Sequence, residues 1–238
     1  MCGRYASYLP HSEIATLFRT QGDIPNLAPN WNVAPTQAAF AVRRHPGTGA
    51  RHLDALNWGL VPAFIKDVKR FVRPINARAE AVAESPLFSG ALAARRCIIP
   101  AIAYYEWKIT PEGKQPYAVA RTDGTPLAFA GLWEIWCSPK GERLRTFAII
   151  TAAARGGVWW LHDRMPVVLE PADWPTWLGE GHGAPADLLH PAAAGVVRLW
   201  PVSRAVNSVR NNGAKLLDPI DDPCAPPPSD APAGENPA

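Results

Sequence analysis

Residues 96–151 read RCIIPAIAYYEWKITPEGKQPYAVARTDGTPLAFAGLWEIWCSPKGERLRTFAIIT. Aromatic and β-branched residues gather there in five runs, 97–99, 104–109, 117–121, 127–135 and 144–151. Pro111-Glu112-Gly113, Asp123-Gly124 and Pro139-Lys140-Gly141 separate the last four of them. Runs of this composition bounded by Gly, Pro and Asp read as strands joined by tight turns. Short turns between consecutive strands favour antiparallel pairing. Working outward, 38–43, 52–58, 165–169 and 196–202 carry the same signature. Helical spacing is confined to three stretches. Residues 11–20 place Ile14, Leu17 and Phe18 on one stripe, with Ser12 as a cap. Ser85-Pro86 provides an N-cap and a first-position proline for a helix running through Leu87, Leu92 and Ala94. Residues 171–178, with Trp174 and Trp177, form the third. Strands outnumber helices, so the expected fold is α+β, with a largely antiparallel, barrel-like β-sheet core and short flanking helices.

The 238 residues suit one main domain, and 47% apolar with 19% charged residues excludes a disordered or fibrous body. No charge-free window of 18 apolar residues occurs and no apolar run follows the N-terminus, so neither a membrane span nor a signal peptide is expected. Four scattered cysteines, Cys2, Cys97, Cys137 and Cys224, form no CxxC pair, and six histidines show no metal-ligand spacing. This fits a reducing cytoplasm and no metal site. Residues 219–238 hold seven prolines, four acidic residues and no Lys or Arg. All 24 basic residues and 17 of the 21 acidic ones therefore lie in residues 1–218, which carry +7. The division is a domain over 1–218 and a disordered, acidic, Pro-rich tail over 219–238. A mildly basic body suits an anionic partner and equally suits plain solubility. P-loop, dinucleotide, G-x-S-x-G and H-E-x-x-H motifs are absent.

Cys2 carries the chemistry. Met1 precedes a small residue, and its removal leaves an N-terminal cysteine with an α-amine and a thiol on adjacent carbons. The α-amine titrates near ~8 and the thiol near ~8.5, the latter lowered by nearby cations such as Arg4. A 1,2-aminothiol condenses with an aldehyde to a Schiff base and closes through sulfur to a thiazolidine. Class II glutamine amidotransferases also begin Met-Cys-Gly and use the cysteine for acyl transfer. The N-terminus alone leaves both chemistries open.

Further segments stand in a fixed order across residues 1 to about 218. After Met1-Cys2-Gly3-Arg4-Tyr5 come Asn32-Val33-Ala34-Pro35-Thr36, Trp58-Gly59-Leu60-Val61-Pro62 and Ile75-Asn76-Ala77-Arg78-Ala79-Glu80. Arg96-Cys97-Ile98-Ile99-Pro100 and Tyr105-Glu106-Trp107-Lys108 follow, then Ile150-Thr151-Ala152-Ala153 and His162-Asp163-Arg164-Met165-Pro166. Pro201-Val202-Ser203, Val206-Asn207-Ser208-Val209 and Asn211-Asn212-Gly213 end the series. Together they resemble the SRAP family, the abasic-site processing proteins also called SOS response-associated peptidases.

The resemblance implies covalent capture of abasic sites in single-stranded DNA. Cys2 takes the deoxyribose aldehyde as a thiazolidine, and autoproteolysis removes Met1. It implies no cofactor and no membrane partner; a monomer in the cytoplasm, on the nucleoid when bound to DNA, is the default. Carried over by position, Asn76 holds the N-terminus and the sugar. Glu106 and His162 move protons, tasks that a partly buried carboxyl and an imidazole suit. Arg4 and Arg78 contact the flanking phosphates, and Arg164, Arg204 and Arg210 extend the basic groove. Two departures stand out. Where the family often has a tryptophan wedge, this chain has Ala63-Phe64-Ile65-Lys66-Asp67, leaving Phe64 and Ile65 to stack and Lys66 to join Lys69, Arg70 and Arg73 in a basic loop. Ile102-Ala103 replaces the usual Asp-Gly ahead of Glu106.

Overall fold

The computed structural model describes residues 2–222 and 224. In chain order the elements are β1 (Tyr5–Ser7), α1 (His11–Phe18), β2 (Asn30–Val33), β3 (Ala38–Arg44), β4 (Arg51–Trp58), β5 (Asn76–Arg78) and α2 (Ser89–Ala94). Then come β6 (Arg96–Ala101), β7 (Ala103–Thr110), β8 (Gly113–Arg121), β9 (Leu127–Cys137), β10 (Arg143–Ala153), α3 (Gly157–Leu161), β11 (Arg164–Pro166), α4 (Trp174–Leu178) and β12 (Val197–Pro201). The α+β, barrel-like expectation holds. Strands β10, β4, β3, β6 and β9 pair in that order, and β9 pairs back onto β10 to close a five-stranded barrel. Among the described residues only the β10–β4 and β10–β5 pairings are parallel. The second sheet, in the order β12-β8-β7-β1-β2, is antiparallel throughout.

Alternation along the strands sorts side chains into separate cores. Phe147 and Ile149 of β10 and Phe129 of β9 meet Tyr5, Tyr104, Tyr117 and Val119 of the second sheet. Ala148, Ile150, Ala130 and Leu132 point the other way, under α1, α2 and α4, where Ile14, Phe18, Trp174 and Trp177 cover them. Phe18 lies 4.3 Å from Trp174, ring to ring, which locks α1 to α4; full burial of such a side chain stabilises by about 1.5–3 kcal/mol. A third cluster covers the outer face of the second sheet. There Tyr105, Ala118 and Ala6 pack under Val202, Val206 and Leu216.

All nine strands expected from the sequence are present, and the helices need adjustment. Ser12 lies inside α1, which Pro10 precedes, and Leu17 is exposed on its outer side. The Ser85-Pro86 pair starts a turn rather than α2 itself: the amides of Phe88 and Ser89 donate to Ser85 O (3.0 and 2.8 Å), and the helix begins at Ser89. The chain also continues against the domain beyond residue 218. Pro219 bridges Val202, Ile220 N donates to Pro201 O (3.1 Å), and Tyr117 Oη lies 2.6 Å from Asp222 Oδ1. The remainder of the stretch expected to be disordered lies outside the described residues. No helix among the described residues is long and apolar enough to cross a membrane.

Candidate active site around Cys2

Three elements converge on Cys2, which is fully buried in the core shared by the two sheets. Strand β1 begins three residues later and pairs with β7, Tyr5 opposite Tyr104. On β7, Tyr104 faces this core and Tyr105 faces the opposite one. The two-residue period therefore aims Glu106 at the Cys2 side, where it is 3% exposed and lies opposite Tyr117 of β8. Strand β5 brings Asn76, whose Nδ2 donates to Cys2 O at 2.8 Å. Trp58 braces this arrangement: its Nε1 donates to Ile75 O (2.9 Å), and its ring meets Tyr5 edge-on at 5.1 Å.

The electrostatics follow from burial. Desolvation pushes the Cys2 thiol well above its ordinary range, and the charge of Glu106 pushes it further. The phenols of Tyr5 and Tyr104 are raised chiefly by burial, then by the neighbouring Cys2. The expectation that the charge of Arg4 lowers the thiol is corrected; its backbone does so instead, by a hydrogen bond. Arg4 alternates with the inward Tyr5, and its Nη1 donates to Asn32 Oδ1 (2.8 Å) and Val206 O (2.9 Å), with the guanidinium 6.0 Å over the Trp107 ring. Only the backbone of Arg4 hydrogen-bonds the thiol. Buried Asn32 completes this joint by donating to the carbonyls of Ser208 (3.0 Å) and Asn211 (2.9 Å).

His162 caps the C-terminal end of α3, a helix the sequence did not announce and that packs on β7. Its Nδ1 lies 2.6 Å from Asp163 Oδ1 and 3.0 Å from Arg164 N. These two contacts need opposite states of that nitrogen: protonated it donates to Asp163, and bare it accepts from Arg164.

The basic residues divide. Arg78 shares a face of β5 with Asn76 and is exposed. Arg164 is 9% exposed, and its guanidinium pairs with Glu80 in two-pronged fashion (2.8 and 2.9 Å) while also reaching Thr151 O. It is a brace rather than part of the exposed basic surface. Arg204 and Arg210 are exposed, but on the segment covering the opposite face of the second sheet. There Arg210, Gly213 and Lys215 line an open depression of about 520 Å³. Phe64, 60% exposed, and exposed Lys66 flank half-buried Ile65, whose carbonyl accepts from Trp136 Nε1 (2.6 Å). That bond fixes the loop while leaving Phe64 outside. The described residues hold no cluster of three or more metal-ligating side chains.

Comparison with known proteins matches residues 1–209 to the family model described as SOS response associated peptidase (SRAP). The abasic site processing protein YoaM of Bacillus subtilis is 38% identical over 224 residues, covering 92% of this chain and 98% of that protein. The abasic site processing protein YedK of Escherichia coli is 35% identical over 236 residues, covering 92% and 100%. A solved protein structure from Bacteroides thetaiotaomicron, 22% identical, superposes with a TM-score of 0.83 over 92% of this chain and 100% of that one, which shows the shared fold.

Proposed function

The chain belongs to the SOS response associated peptidase (SRAP) family, and we propose that it processes abasic sites in single-stranded DNA by capturing them covalently through Cys2. The observation that carries this reading is the convergence on buried Cys2 of Asn76, bonded to its carbonyl, and Glu106, aimed at the same core. Hydrolytic removal of Met1 frees the α-amine. The amine attacks C1′ of the ring-opened deoxyribose, and loss of one water gives an imine. The thiol then adds across the C=N bond: sulfur bonds to C1′, and nitrogen gains the proton that sulfur loses. Since burial keeps the thiol protonated, a base must take that proton, and Glu106, buried and close enough for its charge to act on the thiol, serves as that base. The imine is also the species through which lyase chemistry would cleave the strand, and ring closure halts it there. Asn76 holds the backbone of residue 2 against this attack geometry, and His162 serves proton transfer to the sugar oxygens.

Exposed Arg78, beside Asn76, takes a phosphate flanking the lesion, and Phe64 stacks on a neighbouring base. The protein acts as a monomer in the cytoplasm, where it reaches the chromosome. Arg78→Ala should weaken binding to any single strand and reduce the salt slope by about 0.7. Arg164→Met should leave that slope unchanged. It should instead cost about 1–3 kcal/mol of stability in urea unfolding, because the charged hydrogen bonds of Arg164 to Glu80 and to Thr151 O are lost, while Ala79 N still donates to that carbonyl. Equal loss of slope in both variants would contradict this division. The overall reading is tested by mixing Met1-free protein with a single-stranded oligonucleotide carrying one abasic site and resolving the products on a denaturing gel. A protein–DNA band that needs no reductant supports it; its absence, with a free N-terminal cysteine verified by mass, refutes it.

A further inference from the structure

Lys108 lies two residues beyond Glu106 on β7, so it projects to the same side of the sheet. Its Nζ donates to Trp160 O at 2.6 Å and sits 4.5 Å from the centroid of the Trp160 ring. Trp160 belongs to the last turn of α3, and its ring packs edge-on against Tyr117 (5.4 Å, 89°), the cross-strand neighbour of Glu106. Helix α3 has five residues, no side-chain cap and no basic residue in its own last turn. Its C-terminal carbonyls carry partial negative charge that a cation stabilises. Lys108 supplies that cation from a different element and joins it to a cation–π contact. The next residue but one after Trp160 is His162, whose amide closes the helix on Val158 O at 3.0 Å.

We propose that Lys108 is a positioning residue of the capture reaction: by capping α3 from the Glu106 strand, it sets His162 in fixed relation to Glu106. Two residues of strand, about 7 Å, separate the Glu106 and Lys108 positions, so the link to α3 is short and stiff. The proposal rests on the reading of His162 and Glu106 given above. Methionine at position 108 keeps the stem's apolar packing and deletes the donor and the charge; arginine keeps both.

The test is single-turnover adduct formation on the abasic oligonucleotide, resolving the maximal rate from the half-saturating concentration, in wild type, Lys108→Met, Lys108→Arg, His162→Ala and the Lys108→Met/His162→Ala double variant. The expected result is a maximal rate about 10-fold lower or worse in Lys108→Met. Half-saturation should be unchanged, the rate should recover in Lys108→Arg, and Lys108→Met should have no further effect once His162 is alanine. An undiminished rate overturns the proposal. So does a raised half-saturating concentration alone, which would make Lys108 a DNA contact, or an equal loss in the His162→Ala background. Should Lys108→Met fail to fold, as read by thermal melting, Lys108→Leu takes its place under the same criteria. A wild type that forms no adduct would refute the capture reading itself.

Discussion

Cys2→Ala should form no denaturation-resistant adduct with abasic single-stranded DNA, a loss of at least about 10²-fold against wild type. It should nevertheless retain affinity for the same strand. The reasoning is chemical before it is structural. Alanine keeps the α-amine and can still make an imine, but it has no sulfur to close the ring, so any product remains hydrolysable. The phosphate contact proposed for Arg78 and the stacking proposed for Phe64 do not involve position 2, so equilibrium binding and its salt dependence should persist. The fold should persist as well: Cys2 is small, and the bond from Asn76 goes to its backbone carbonyl, which alanine keeps. Fluorescence anisotropy with a labelled oligonucleotide, paired with the denaturing gel, separates the two properties. A Cys2→Ala protein that still crosslinks would move the chemistry to another nucleophile. Glutamine hydrolysis that depends on Cys2, without crosslinking, would favour an amidohydrolase.

Glu106→Gln should act in opposite directions on two reactions of the same thiol. Capture should slow by about 10²–10⁴-fold, the usual contribution of a positioned acid–base group. Alkylation of Cys2 by a small neutral reagent should become faster. The negative charge of Glu106 adds to the burial that holds the thiol well above its ordinary range, and the amide removes that addition. Lowering a thiol pKa that lies above the working pH raises the fraction ionised, hence the alkylation rate, at every pH below that value. Burial is the larger cause and remains, so the gain is bounded. Alkylation followed by mass spectrometry on Met1-free protein, alongside single-turnover capture, reads both. If Glu106→Gln slowed both reactions together, the residue would be a structural support for Cys2 rather than a proton acceptor.

The long strands were legible because their apolar runs are long and nearly continuous: β9 and β10, eleven residues each, bury both faces over most of their length. The short strands that carry the site were not. Strands β1, β2 and β5 have three, four and three residues, too few for a period to show, and they exist through pairing with β7, β1 and β10. Helix α3 opens on Gly157 and spans five residues, so propensity does not announce it; packing against β7 and β11 accompanies it. Cys2 could be singled out from its chemistry alone, whereas Asn76, Glu106 and His162 came from motif resemblance. Sequence nearness misled at Arg4. Two residues from Cys2, it turns instead to Asn32 and Val206, 28 and 202 positions away. Arg164, in a run that reads as surface charge, is held by Glu80 from another motif 84 residues earlier. Lys108 appeared only as the last letter of a motif, because its partner, a backbone carbonyl on an unforeseen helix, leaves no trace in composition.

The most direct test is the intact mass of the product formed without reductant from Met1-free protein and an oligonucleotide bearing one abasic site. The chemistry described here requires a single species at the sum of the two masses less one water, stable to denaturation and absent for Cys2→Ala. A species that survives only after borohydride reduction, or that forms equally well with Cys2→Ala, would show an imine without ring closure and contradict capture through the cysteine.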